Sequence, residues 1–158
     1  MVSAASDKSS VKDYGLLYGH SEKVAEWVKD RIPQVETFGP CSAIGVMSEG
    51  RLIAGVVYHD YRAQFGTIQL SMAADSPMWA RKDLIGALLA YPFGQLECYK
   101  CRLIIPADNA LSIRNNEHIG FKREAILAHE FGKGRHAHIY RMIKPDFEKI
   151  YGEEQGGS

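Results

Sequence analysis

The sequence predicts one mixed α/β domain, with a mostly antiparallel sheet, one parallel splayed strand pair and flanking helices. Three observations carry this. The chain has 158 residues, the size of one ordinary domain with a real core. Apolar residues make up 46% and charged residues 24%, the balance of a globular protein and not of a disordered or fibrous one. The spacing of apolar residues reads, in order, helix, three strands, helix, strand, helix, two strands. A strand, a helix and a strand in succession most economically form a parallel pair with a right-handed crossover.

The elements follow from local patterns. From Ser21, the run SEKVAEWVKDRI puts Val24, Ala25, Trp27, Val28 and Ile32 on one helical face, with Ser21 as the cap and Pro33 beyond the end. Ser42 to Met47, Arg51 to Asp60 and Gly66 to Ala73 read as an antiparallel meander, the first turn being Ser48-Glu49-Gly50. Asp75-Ser76-Pro77 breaks the third strand. Ala80 to Tyr91 has helical spacing at Leu84, Leu88 and Tyr91 and ends before Pro92. Cys101 to Pro106 is a short apolar strand. Asn109 to His118 is a helix capped by Asp108 or Asn109 and terminated by Gly120, which takes a left-handed conformation without a Cβ penalty. Phe121 to Phe131 and Arg135 to Ile143 flank Gly132-Lys133-Gly134 as a hairpin. Residues 1–12 and 152–158, rich in Ser, Gly and charge, read as loose tails, leaving a folded domain over 13–151.

Charge limits the partners. Nineteen basic and nineteen acidic side chains give a net charge of zero. Nonspecific nucleic-acid binding rests on a basic excess, so this balance disfavours a nucleic-acid partner. Residues 1–80 hold seven basic and nine acidic side chains and residues 81–158 hold twelve and ten, which puts any cationic site in the second half. The longest apolar runs, Leu52 to Tyr58 and Ile85 to Tyr91, fall far short of the ~20 residues of a membrane span. The start lacks the basic-then-apolar order of a signal peptide and the three cysteines suit no disulfide framework, so the expected setting is reducing and cytoplasmic. Cys98 and Cys101 form a CxxC, but Cys41 is the only other thiol and a structural zinc needs about four ligands.

Ligands of such sheets gather at the carboxyl ends of parallel strands, where the crossover helix points its amino end. Here the strand ends at Met72-Ala73 and the helix opens with Arg81 and Lys82. Cations at a helix amino end oppose the macrodipole by ~0.3–1 kcal/mol, an arrangement that invites an anionic ligand.

The segment from Asn109 through Ser112, Asn116 and Glu117 to Gly120-Phe121 and Glu124 then carries a resemblance. It is similar to the N-x-x-S helix and following G-F of GNAT-superfamily acetyltransferases, and most similar to the branch of ribosomal-protein N-terminal acetyltransferases. The resemblance spans about residues 13–143. It implies an acetyl-CoA-dependent N-acetyltransferase acting on an amine, either a small molecule or a polypeptide N-terminus, as a monomer or homodimer. Two positions depart from the family. Its phosphate signature, Q/R-x-x-G-x-G/A, falls on Arg81-Lys82-Asp83-Leu84-Ile85-Gly86-Ala87, where the glycines are missing or displaced. The Tyr that protonates the departing thiolate in many members is replaced by Asn116.

By the same resemblance, pantetheine lies in the splay as an added strand, with Met72 and Ala73 as backbone partners and Met72 as a candidate oxyanion donor. Arg81 and Lys82 would take the phosphates, Asn109 the pantetheine amides, and Ser112 the sulfur. The plain structural roles are a helix cap for Asn109 and a small packing residue for Ser112. An α-amine titrates near ~7.7–8.0 and a lysine near ~10.4, so a lysine acceptor needs ~3.5 kcal/mol more help in losing its proton. His59 and Asp60 are the candidate bases, with Gln69 and Ser71 alternating on the next strand.

If Lys133-Gly134 is a two-residue turn, Phe131 faces His136 and His129 faces His138, with Tyr140 continuing that face as acceptor-site wall or proton donor. Three imidazoles can hold a catalytic metal, but no carboxylate in register completes a ligand set, so no metal is expected. Two other readings remain open. One is a Mom-like GNAT-fold enzyme that modifies a nucleobase, with these histidines and His59 holding iron. The other is a noncatalytic acyl-CoA-binding regulatory module, which the altered phosphate signature and the absent Tyr would suit.

Overall fold

The computed structural model describes residues 13–76 and 81–156, with side chains through Gly152. The expected tail at residues 1–12 and the helix start at Ala80 lie outside the described residues. The described elements are β1 (Tyr14–Leu17), α1 (Ser21–Lys29), β2 (Cys41–Ser48), β3 (Arg51–Arg62), β4 (Thr67–Ala74), α2 (Lys82–Ala90), β5 (Lys100–Pro106), α3 (Ala110–Ile119), β6 (Lys122–Leu127), β7 (Ala137–Ile143) and α4 (Lys144–Gly156). The strands form one seven-stranded sheet in the order β1-β2-β3-β4-β5-β7-β6. Every neighbouring pair is antiparallel except β4 and β5.

Apolar alternation divides the sheet into two faces. On one, Val57 and Ala43 bury against Val24 and Val28 of α1. On the other, Val56, Tyr58, Leu70 and Leu103 join Leu88, Phe93, Ile119 and Phe147 in the main core. Helix α1 can lie close to the sheet because Gly45 and Gly55 are direct cross-strand partners. A Cβ on Gly55 would sit 2.8 Å from Val28 Cγ2 and 3.0 Å from Val24 Cγ1.

Several expectations change. Ser21 is not the cap of α1: His20 holds that position, and the Ser21 hydroxyl instead accepts from the Ala43 amide at 3.0 Å, tying the helix to β2. Helix α1 stops at Lys29, three residues short of Ile32. Helix α2 ends at Ala90, before Pro92 as expected, but the chain does not leave the helical path there. The chain continues through a wide turn over Tyr91–Gln95, closed by a bond from the Leu96 amide to the Tyr91 carbonyl at 3.0 Å. Two elements were missed: β1, an edge strand of four residues, and α4, which carries through Gly152 into the segment read as a loose tail. Helix α4 is held by the Phe93–Phe147 ring stack at 4.9 Å and by Tyr151, whose hydroxyl donates to the Ile119 carbonyl at 2.6 Å.

Helix α3 lies one residue along from its expected bounds, with Asn109 as its cap. Asn109 Oδ1 accepts from the Ser112 amide at 3.1 Å, and Gly120, with φ of 126°, receives the chain at the other end.

Candidate active site

The parallel ladder between β4 and β5 pairs Thr67 with Lys100, Ile68 with Cys101 and Gln69 with Arg102, and goes no further. Beyond it the strands diverge. Residues 70–74 and 103–106 line the two sides of a cleft of about 810 Å³ that passes through the sheet. On the α1 face its walls include His59, Ser71, Phe38 and the segment from Arg31 to Thr37; on the other face they include Asn109, Ser112, Asn116 and Ile119 of α3.

His59 reaches the cleft because β3 alternates: Val57 packs against α1, and His59, two residues on, projects from the same face. Its Nε2 lies 2.9 Å from Ser71 Oγ, and its ring meets Phe38 at 5.1 Å between centroids. Burial holds the imidazole below its ordinary titration range, Arg102 adds to this, and Asp60 partly opposes it. Asp60 itself pairs with Arg102 and Arg62 and does not line the cleft. The base candidate inside the cleft is therefore a neutral imidazole with a hydroxyl beside it.

Across the gap, Asn109 caps α3 with its carbonyl oxygen, which leaves its amide nitrogen available to the cleft. The Asn116 amide nitrogen donates to the Ser112 carbonyl at 2.9 Å and lies 3.3 Å from Ser112 Oγ. Asn116 is 8% exposed, and its buried Oδ1 has no hydrogen-bond partner among the described residues. The structure thus gathers His59, Met72, Ala73, Asn109 and Ser112 around one cleft.

No protein-family model matches the sequence, and no curated protein matches it. Solved structures do. A mutant form of the spermidine/spermine N-acetyltransferase SpeG from Vibrio cholerae superposes with a TM-score of 0.72 at 14% identity, covering 87% of this chain and 98% of that one. A second mutant of spermidine N-acetyltransferase SpeG from Vibrio cholerae gives 0.70 at 14% identity, over 85% of this chain and 95% of that one. A dodecameric SpeG structure from the same organism gives 0.69 at 14% identity, with 85% and 95% covered. The chain has the GNAT acetyltransferase fold.

Within this GNAT fold, three predicted residues stand away from the cleft. Arg81 and Lys82 are exposed at the amino end of α2, outside the cleft walls. Arg81 is bound to Asp83, its Nη2 lying 2.8 Å from Oδ2, and Asp83 Oδ1 also accepts from the Leu84 amide at 2.9 Å. The carboxylate therefore takes up both a cation and an amide of the helix end, and the Arg81 bond holds it below the usual carboxylate range. Tyr140 is 1% exposed in the main core, and its hydroxyl donates to Glu117 Oε2 at 2.8 Å. The alternation of β7 turns it toward the helices, so it neither walls the cleft nor reaches it.

The histidine cluster also rearranges. The β6–β7 ladder ends at Leu127 and Ala137, and His138 pairs with Ile126, not His129. His129 adopts φ of 58° and leaves the ladder. Its Nδ1 accepts from the Gly134 amide at 2.8 Å, while His136 Nδ1 accepts from the His129 amide at 2.9 Å. Both imidazoles serve as caps of the hairpin loop, and that loop sets Glu130 and Phe131 against the cleft. Among the described residues no three His, Cys, Asp or Glu side chains are grouped to share a metal ion. Cys98 and Cys101 are buried free thiols, raised by desolvation, and belong to the core.

Sequence reasoning missed Asn116 as a partner of Ser112 and the Arg31–Phe38 segment as a wall. The first had a signal: Asn109, Ser112 and Asn116 recur at helical spacing, on one face. The second is an irregular loop with no periodicity to read.

Proposed function

We propose that this chain is an acetyl-CoA-dependent N-acetyltransferase acting on an amine, a small molecule or a polypeptide N-terminus. The observation that carries this is the cleft opened by the divergence of β4 and β5, with the polar groups of α3 on one side and a neutral imidazole on the other. Backbone facing such a gap suits a pantetheine arm added as an extra strand, beside Met72 and Ala73. The Met72 backbone amide is the oxyanion donor in this reading. Asn109 binds a pantetheine carbonyl through its free amide nitrogen, and Ser112 bonds the sulfur. Arg81, Lys82 and the first amides of α2 receive the phosphates in exchange for Asp83.

In the reaction, the amine nitrogen bonds to the thioester carbon and the carbon–sulfur bond breaks. The surplus amine proton passes by way of Ser71 to His59 and then to solvent. Burial helps by keeping His59 unprotonated. The free cysteines suit a reducing, cytoplasmic setting.

A thermal-shift titration with acetyl-CoA tests binding: a ligand at ~100 times its dissociation constant adds ~2.7 kcal/mol to stability. Thiol release against a panel of amines and peptides then tests turnover. No shift with acetyl-CoA or CoA overturns the proposal; a shift without turnover leaves the noncatalytic binding module in its place.

A further inference from the structure

We propose that Asn116 is a positioning residue that aims the Ser112 hydroxyl proton into the cleft, at the departing sulfur of the thioester. This rests on the acetyltransferase reading above and goes beyond it, since it gives a task to the residue that stands where a proton-donating Tyr is expected.

The polarity of the pair follows from one fixed acceptor. The Ser112 carbonyl can only accept, and the terminal atom of Asn116 facing it at 2.9 Å must therefore be the amide nitrogen. The same nitrogen lies 3.3 Å from Ser112 Oγ, so Oγ is also an acceptor toward Asn116. The hydroxyl proton is then turned away from Asn116. A serine inside a helix commonly returns its proton to the carbonyl one turn earlier, yet among the described residues Ser112 Oγ donates to no such group. Ser112 lines the cleft, and the cleft is the direction left to its proton.

The Asn116 side chain holds this orientation although its own buried Oδ1 has no partner among the described residues. Its backbone is fixed as well: the Asn116 carbonyl accepts from the Gly120 and Phe121 amides at 3.2 and 3.0 Å, locking the last turn of α3. An apolar side chain of the same size would relieve the unpaired oxygen but would free the Ser112 hydroxyl to rotate. In the reaction, the sulfur leaves as a thiolate hydrogen-bonded by Ser112, which keeps its proton; the amine proton goes to His59 as before. Nothing else is consumed.

The test varies the leaving group. Acetyl transfer is measured from acetyl-CoA and from the acetyl thioester of 4-nitrothiophenol, whose thiolate needs little help to depart, for the wild type, Ser112→Ala, Asn116→Asp, Asn116→Leu and the Ser112→Ala/Asn116→Asp double variant. Asn116→Asp keeps the shape but, when ionised, accepts from Ser112 and turns its proton inward. Expected are kcat losses of roughly 10²-fold with acetyl-CoA for Ser112→Ala and Asn116→Asp, with KM for acetyl-CoA little changed. With the aryl thioester the losses shrink to near unity, the double variant is no worse than Ser112→Ala, and the Asn116→Asp to wild-type ratio rises as pH falls. Equal losses with both donors, additive losses in the double variant, or full activity in both Asn116 variants would overturn the positioning role while leaving the acetyltransferase reading intact. No turnover by the wild type with either donor overturns both. Retained CoA binding in the thermal-shift assay identifies folded variants, and the near-isosteric Asn116→Asp decides the matter if Asn116→Leu does not fold.

Discussion

His59 Nε2 and Ser71 Oγ lie 2.9 Å apart on adjacent strands, two residues out of direct register and so on the same face, with the imidazole lowered from its ordinary titration range by burial. Because the folded-state value is depressed, the unfolded chain protonates first as pH falls through ~6.5. The wild type should therefore lose stability below that pH, and His59→Asn should lose less over the same interval; parallel urea-unfolding curves across the pH series would remove this assignment. In the proposed reaction the acid limb of kcat/KM lies below ~6.5, and His59→Ala reduces turnover by ~10²-fold or more, most for lysine-like acceptors.

Pro92 has no amide hydrogen, so the Leu88 carbonyl, four residues earlier, cannot receive the usual α-helical bond. The Tyr58 hydroxyl, from β3, donates to it at 2.7 Å. Tyr58→Phe removes that buried donor and should cost about 1–3 kcal/mol in denaturant unfolding. A change within experimental error would mean that water or a neighbouring group replaces the hydroxyl.

The Gly45–Gly55 pair sets the height of α1 over the sheet. Gly55→Val drives a side chain into Val24 and Val28 and should destabilise by about 1–3 kcal/mol. Gly15→Ala, where a Cβ meets nothing within 4 Å, is the control and should stay within about 0.5 kcal/mol. Similar Tm values for the two variants would show that α1 is not seated on that glycine pair.

Asp83 competes with any anion at the start of α2, since it binds both Arg81 and the Leu84 amide. Asp83→Asn should then tighten CoA binding measured by titration calorimetry, and the gain should shrink with added salt, as these groups are exposed. An unchanged or weaker affinity would place the phosphates elsewhere.

Much of the fold was legible because its signals are local. The cap at Asn109 and the glycine at Gly120 bound α3 by short-range chemistry, and the meander by alternation and turns. What failed was short or depended on distant partners. The four residues of β1 are too few to establish a period, and α4 is held by a ring stack on Phe93 and a hydrogen bond to the Ile119 carbonyl, both far away in sequence. The hairpin register slipped because two imidazole caps draw residues from the ladder, which a count of turn residues does not reveal.

By itself the sequence determined the order of elements from α1 to β7, the mixed sheet with its single parallel junction, and a set of candidates that included His59, Met72, Ala73, Asn109 and Ser112. Only the tertiary structure decided which candidates share a cleft. It paired His59 with Ser71 and Asn116 with Ser112, turned Tyr140 into the core, and bound Arg81 to Asp83. The physical reason is that helix and strand propensity act over a few residues, whereas a site depends on where a ladder stops and which face each side chain takes. Both are set by pairing between segments that lie far apart in the chain.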